Sequence, residues 1–157
     1  MVKLLPMTQA EYEPWLEQAI LDYADDKVRT GSWPAVDGLE RSREEFHKLL
    51  PDGPATADNY LFTIWAALEA GEAPVGMIWF ATPPWKPPIA FVHAFLIDEP
   101  FRRRGFATQA LQALEDKVRP LGLDTIGLHV FGHNRGARAL YEKAGYEVAD
   151  LVMAKKI

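Results

Sequence analysis

Three consecutive arginines, Arg102, Arg103 and Arg104, run into Gly105 within Ile97-Asp-Glu-Pro-Phe-Arg-Arg-Arg-Gly-Phe-Ala107. An apolar strand precedes this turn and a helical pattern follows it. A helix start presents unpaired N–H groups and the positive end of its dipole, both suited to a phosphate. Gly105 lets backbone approach an anion closely, and Ala107 is too small to obstruct it. The chemistry open to such a turn is the holding of a phosphate or pyrophosphate. It has neither the Gly-Lys-Ser/Thr ending of a P-loop nor the three glycines of a dinucleotide fingerprint. The alternative is a solvated basic turn.

Other chemistry-bearing residues lie on either side. His93 is the only titratable side chain in the run Ile89–Ile97, and period-two alternation puts it on one face with Phe91 and Phe95. His129 alternates against Leu128 and Val130, which turns it toward a cleft rather than the helix layer. His133, beside Asn134, reads as a loop histidine. A hydrogen-bonded, partly buried imidazole is the competing role for each. Asn134 and Tyr141 are seven residues apart, about two helical turns, so they share a face. No His/Asp/Glu cluster has metal-ligand spacing.

The elements that must position these groups follow from pattern. Residues 2–6 read as a first strand. Thr8 caps a helix from Gln9, with Glu11 completing a capping box, and Gly31-Ser-Trp-Pro34 ends it. Glu40 to Leu50 is a second helix. Tyr60–Leu68 and Val75–Phe80 are apolar runs, predicted to form an antiparallel hairpin with a longer loop over Glu69–Pro74. Ile89–Ile97, almost wholly apolar, is predicted to be a strand buried on both faces. A helix spans about Gly105 to Arg119 with Ala107, Leu111, Leu114 and Val118 as its stripe. Asp124–Phe131 is a strand, Asn134 caps a helix ending at Gly145, and Tyr146–Ala154 is a final strand. Alternating strands and helices in the second half require a partly parallel sheet.

Composition bounds the function. The chain has 157 residues, which fits one domain over 1–157. It has no cysteine, hence no disulfide, thiolate metal site or cysteine nucleophile. A formal charge of −5 argues against bulk nucleic-acid binding. No run approaches the roughly 20 apolar residues of a membrane span. Met1 to Pro14 has no long apolar run and does not read as a signal peptide, so the expected location is cytoplasmic.

Arg102-x-x-Gly105-x-Ala107, placed between a strand and a helix, resembles the acetyl-CoA pyrophosphate loop of the GNAT superfamily of N-acetyltransferases. About 30 residues on, Asn134-x-x-Ala137-x-x-Leu140-Tyr141-Glu142-Lys143-x-Gly145-Tyr146 is similar to a second hallmark of that family. The order and separation of the motifs agree with it. Tyr23-Ala24, Leu49-Leu-Pro51 and Leu128–Asn134 resemble an uncharacterised bacterial branch.

The resemblance implies an α/β fold in three layers. Its sheet is mixed, mostly antiparallel and twisted, flanked by helices, and it splays where the co-substrate enters. It implies acetyl-CoA as co-substrate, no metal, and transfer to a primary amine by direct attack in a ternary complex. The cofactor-binding residues it implies are Phe95, Leu96 and Ile97 on the strand, Arg102, Arg103, Arg104, Gly105, Phe106, Ala107 and Thr108 in the loop, and Asn134, Ala137 and Tyr141 on the later helix. The N–H groups from Arg104 to Thr108 would hold the pyrophosphate, and the Phe95 N–H would polarise the thioester carbonyl. Tyr141 would protonate the departing thiolate, its own competing role being a packing tyrosine.

Many GNAT members carry a glutamate on the strand matched here by 89–97, and this chain has none. An amine must be neutral to attack, and for a lysine-like amine at pH 7 this costs about 4.6 kcal/mol. His93 and His129 are therefore equal candidates for the base or a water relay. Acceptor-side aromatics are Tyr23, Trp33, Trp79 and Trp85, with Asp22, Asp25 and Asp26 as an acidic set. A non-catalytic CoA-binding or regulatory module is the alternative function. The expected partners are acetyl-CoA and an amine, a small molecule over a protein terminus or lysine, with no nucleic acid or membrane. Homodimers are common in the family, and no sequence feature here establishes one.

Overall fold

The computed structural model describes residues 1–157. Its elements in chain order are β1 (Val2–Pro6), α1 (Gln9–Arg29), α2 (Gly38–Leu49), β2 (Asn59–Leu68), β3 (Gly71–Ala81), β4 (Ala90–Ile97), α3 (Phe106–Val118), β5 (Ile126–Leu128) and α4 (Arg135–Lys143). The strands form one sheet in the order β1-β2-β3-β4-β5. All neighbours are antiparallel except β4 and β5, which run parallel.

Helices cover both faces of this sheet. On one face Phe62, Ile64, Ile78, Phe80, Ala90 and Val92 pack with Phe106, Ala110, Leu114 and Val118 of α3. On the other, Leu61, Met77 and Trp79 pack with Met7, Tyr12, Trp15, Leu16 and Phe46 under α1 and α2. The expected three-layer α/β arrangement is therefore present. Thr8 caps α1 through the expected box: its Oγ1 accepts from the Glu11 N–H at 3.3 Å, and its own N–H donates to Glu11 Oε2 at 2.8 Å. Ser42, fully buried, ties α2 to α1 by donating to the Ile20 carbonyl at 2.8 Å.

Four expectations require correction. The β2–β3 connection is tight: Leu68 pairs with Gly71, leaving only Glu69 and Ala70 in the turn. Gly71 at φ +119° supplies the backbone freedom that such a reversal needs. Strand β4 is not buried throughout, because His93 and Leu96 are exposed. No strand forms over Tyr146–Ala154. The neighbouring β5 offers only three residues of ladder, and Val148, Leu151 and Val152 stay exposed. A cavity of about 1450 Å³ lies between β5, the end of α3 and residues 144–152. The expected strand 124–131 is shortened for a related reason: β4 and β5 pair only from Ala90/Ile126 to Val92/Leu128 and then part.

Candidate active site

The parting of β4 from β5 begins at a bulge. The β3–β4 register shifts between Trp79 and Phe80, so Trp79 pairs with Ala94 and Phe80 with Val92. His93 is the extra residue. A bulge reverses side-chain alternation beyond it. Ala90 and Val92 face the α3 side, and so do Phe95 and Ile97, whereas Ala94 packs toward α1 and α2. His93 thus shares a face with Phe91 but not with Phe95, which corrects the simple alternation. Nothing in the sequence signals this bulge.

The same shift determines which backbone groups face the gap. The Asp98 N–H donates across to the Val75 carbonyl on β3 at 2.9 Å. In an antiparallel ladder alternate residues point their N–H and C=O groups the same way, so Leu96 and Ala94 also face β3. Phe95 and Ile97 then present their backbone groups to the gap. The Ile97 carbonyl is taken there by Arg102 Nε, which donates at 2.8 Å. Arg102 is thus a strut that ties the basic turn to the strand end.

The turn itself holds two left-handed residues, Arg103 at φ +62° and Gly105 at φ +82°. Gly105 is the N-cap of α3 and offers no side chain to satisfy the first N–H groups of that helix. A Cβ at Gly105 would meet only Gln109 Nε2 at 3.9 Å, so glycine serves the backbone conformation rather than relieving a crowded contact. Arg103 and Arg104 are exposed and take part in none of the ion pairs; Arg104 lies over the Phe106 ring, 5.9 Å from its centroid. An anion-sized set of unpaired N–H groups, under positive charge, therefore stands beside a strand edge with free backbone donors. A pyrophosphate joined to an extended amide-bearing arm fits both features.

Tyr141 of α4 lies on the gap's α3 side, 6.4 Å from Phe95 between ring centroids and 5.6 Å from Tyr146. Burial raises the pKa of Tyr141. Tyr146 is pushed up to about 12 by burial and by the charges of Glu115 and Tyr141. Asn134 caps α4, its Oδ1 accepting from the Ala137 N–H at 3.2 Å, so its carbonyl is already engaged.

His93 lies on the opposite sheet face, stacked on Trp79 at 4.4 Å and edge-on to Phe91 at 5.0 Å. One side of His93 is open to solvent, but packing against these rings removes part of its water and holds its pKa below the usual imidazole value. Trp79 is itself fixed, its Nε1 donating to Asn59 Oδ1 at 2.8 Å. His129 lies beyond the end of β5, edge-on to Phe131 at 5.1 Å, and Phe131 stacks on His133 at 5.4 Å. The structure therefore gathers Phe95, Tyr141 and the 102–108 turn around one gap, with His93 behind it and His129 farther along the chain's exit from β5. Tyr23 is drawn away: its hydroxyl donates to Glu45 at 2.9 Å.

A three-layer fold with a parallel pair that splays beside an uncapped helix start is one that coenzyme A-dependent acyltransferases adopt. More particularly, the chain belongs to the GNAT family of acetyltransferases, whose family model matches residues 16–146. Two Bacillus subtilis relatives are similar over nearly their whole length. The uncharacterized N-acetyltransferase YycN is 37% identical over 157 residues, 99% of each chain. The uncharacterized N-acetyltransferase YdgE is 32% identical over 152 residues, 96% of this chain and 95% of its own. The crystal structure of YycN superposes with a TM-score of 0.89 at 36% identity, covering 100% of this chain and 99% of that one. The aminoglycoside acetyltransferase AAC(6')-Iy, solved with the bisubstrate analog CoA-S-monomethyl-acetylneamine, shares the fold at a TM-score of 0.60 and 15% identity, over 100% of this chain and 98% of its own. No helix is long and apolar enough to cross a membrane.

Proposed function

We propose that this chain transfers an acetyl group from acetyl-CoA to a primary amine, by direct attack in a ternary complex, within one cytoplasmic domain over 1–157. The observation that carries the reading is the pairing of two free donor sets, the gap-facing edge of β4 and the uncapped start of α3. The backbone N–H groups from Arg104 to Thr108, with Gly105, Phe106 and Ala107 between them, would hold the pyrophosphate, and Arg103 and Arg104 would add charge. Arg102 would act through the turn's shape. Phe95, Leu96 and Ile97 would align the extended arm, with Asn134 and Ala137 bordering it from α4. When bound, acetyl-CoA supplies the activated thioester.

The Phe95 N–H would stabilise the charge that develops on the acetyl oxygen, usually a large catalytic contribution. Tyr141 would donate its proton to the leaving sulfur; its raised pKa keeps that proton in place at neutral pH. His93 would accept the proton that the attacking amine releases. It stands on the face opposite Tyr141, so the acid and base act from opposite sides of the sheet. Its lowered pKa keeps it neutral, hence able to accept, near pH 7. His129 remains a relay candidate. A small-molecule amine is the proposed acceptor, over a protein terminus or lysine.

Thiol release from acetyl-CoA across a panel of amines tests this. The expected result is amine-dependent release that falls in Tyr141→Phe. Tight CoA binding with no turnover, and no change in that variant, would favour a non-catalytic module instead.

A further inference from the structure

The α1–α2 face carries an aromatic row that leads from the core to solvent through His93. Its inner end is Trp79, only 2% exposed. His93 stacks on Trp79 at 4.4 Å, Phe91 meets His93 edge-on at 5.0 Å, and Trp85 meets Phe91 edge-on at 5.2 Å. Trp85 ends the row and is 49% exposed. Its loop contains Pro83, Pro84, Pro87 and Pro88, which restrict the backbone that presents the indole, so that backbone has little entropy left to lose. The loop's only charge is Lys86, and β4 has no carboxylate. A polycation would meet like charge and no anion on these two segments. An aromatic ring would meet ring faces and edges in the arrangements that aromatic pairs prefer.

We infer that the acceptor is a primary amine carrying an aromatic ring, seated against Trp85 and Phe91 with its nitrogen at His93. The inference rests on the acetyl-transfer reading and makes Trp85 a specificity-determining residue. In the reaction the amine nitrogen bonds to the acetyl carbon, the carbon–sulfur bond breaks, the amine loses one proton and the sulfur gains one.

Steady-state kinetics on the full chain, with 2-phenylethylamine, pentylamine and butane-1,4-diamine as acceptors, test it. Wild type should favour 2-phenylethylamine. Trp85→Ala should raise KM for that amine about tenfold with kcat unchanged, and Trp85→Phe should restore most of the loss. Pentylamine should respond little to either change. Preference for the diamine, equal loss for all three amines in Trp85→Ala, or no turnover of the aryl amine by protein that binds acetyl-CoA would overturn the inference. Direct titration of acetyl-CoA separates the two levels. Trp85→Ala should leave that binding unchanged, whereas wild type that does not bind acetyl-CoA contradicts the acetyl-transfer reading itself.

Discussion

His93 lies almost flat on Trp79, with 4.4 Å between ring centroids and 24° between planes. Trp79 is held at its edge by Asn59, so the imidazole rests on a fixed surface. Protonating His93 there places a charge on a ring already removed from part of its water. The bulge that puts His93 in this position also turns Phe95 toward α3 and Tyr141. One irregularity in β4 thus separates a candidate base from a candidate acid.

His93→Gln is expected to lower kcat/KM by about a hundredfold or more, the usual range for a general base. In wild type the acidic limb contributed by this group should fall below about pH 6.5, the ordinary histidine value, because burial lowers its pKa. The variant should lack that limb. Comparing the two pH profiles checks both points.

The same shift has a stability consequence. The unfolded chain binds the His93 proton at a higher pH than the folded chain does, so stability rises with pH across that interval. The contribution is present above about pH 6.5 and is lost as pH falls from there through the lower folded pKa. Denaturant midpoints measured from pH 7.5 to pH 5 should decline more in wild type than in His93→Gln.

Tyr141→Phe removes the hydroxyl and keeps the ring beside Phe95. It should lower kcat by about a hundredfold, within the range for a positioned acid, with acetyl-CoA affinity little changed. Because burial raises the Tyr141 pKa, wild type should show no basic limb from this group below about pH 10. A matching loss in affinity and rate would instead indicate a packing role.

Gly105→Ala forces a Cβ onto a left-handed residue at φ +82°. The expected cost is about 1–2 kcal/mol in stability, measured by denaturant unfolding. Acetyl-CoA binding should weaken as well, since the helix start moves with that backbone.

Gly76→Ala is the control for sheet integrity. A Cβ there would collide with the Leu96 carbonyl on β4. The variant should lose about 3 kcal/mol or more, because backbone cannot yield as a flexible side chain can. Displacing β4 there should also weaken acetyl-CoA binding, because Gly76 pairs with Ile97 on the edge proposed to align the arm.

Much of the fold was legible because its determinants are local. The Thr8–Glu11 box, the stripe of α3 and the Asn134 cap are read over a few residues, and each is where the sequence places it. The position of the basic turn between β4 and α3 was legible from its arginines and Gly105. Its internal geometry was not: no residue type announces that Arg103 adopts φ +62° or that Arg102 reaches the Ile97 carbonyl. The β4 bulge is a feature of its register with β3 across the sheet, and alternation alone put Phe95 on the wrong face. The segment 146–154 has the apolar content of a strand, but backbone pairing needs a neighbour and β5 is only three residues long. Such long-range conditions leave little trace in one sequence.

In the proposed complex acetyl-CoA lies along the gap-facing edge of β4 with its pyrophosphate on the start of α3. Amide hydrogen exchange of the full chain, with and without acetyl-CoA, addresses it most directly. Slowed exchange concentrated at residues 104–108 and at Phe95 and Ile97 is the expected result. Slowed exchange confined to the cavity beside β5 and residues 144–152, or no change at 104–108 at saturating acetyl-CoA, would contradict the account.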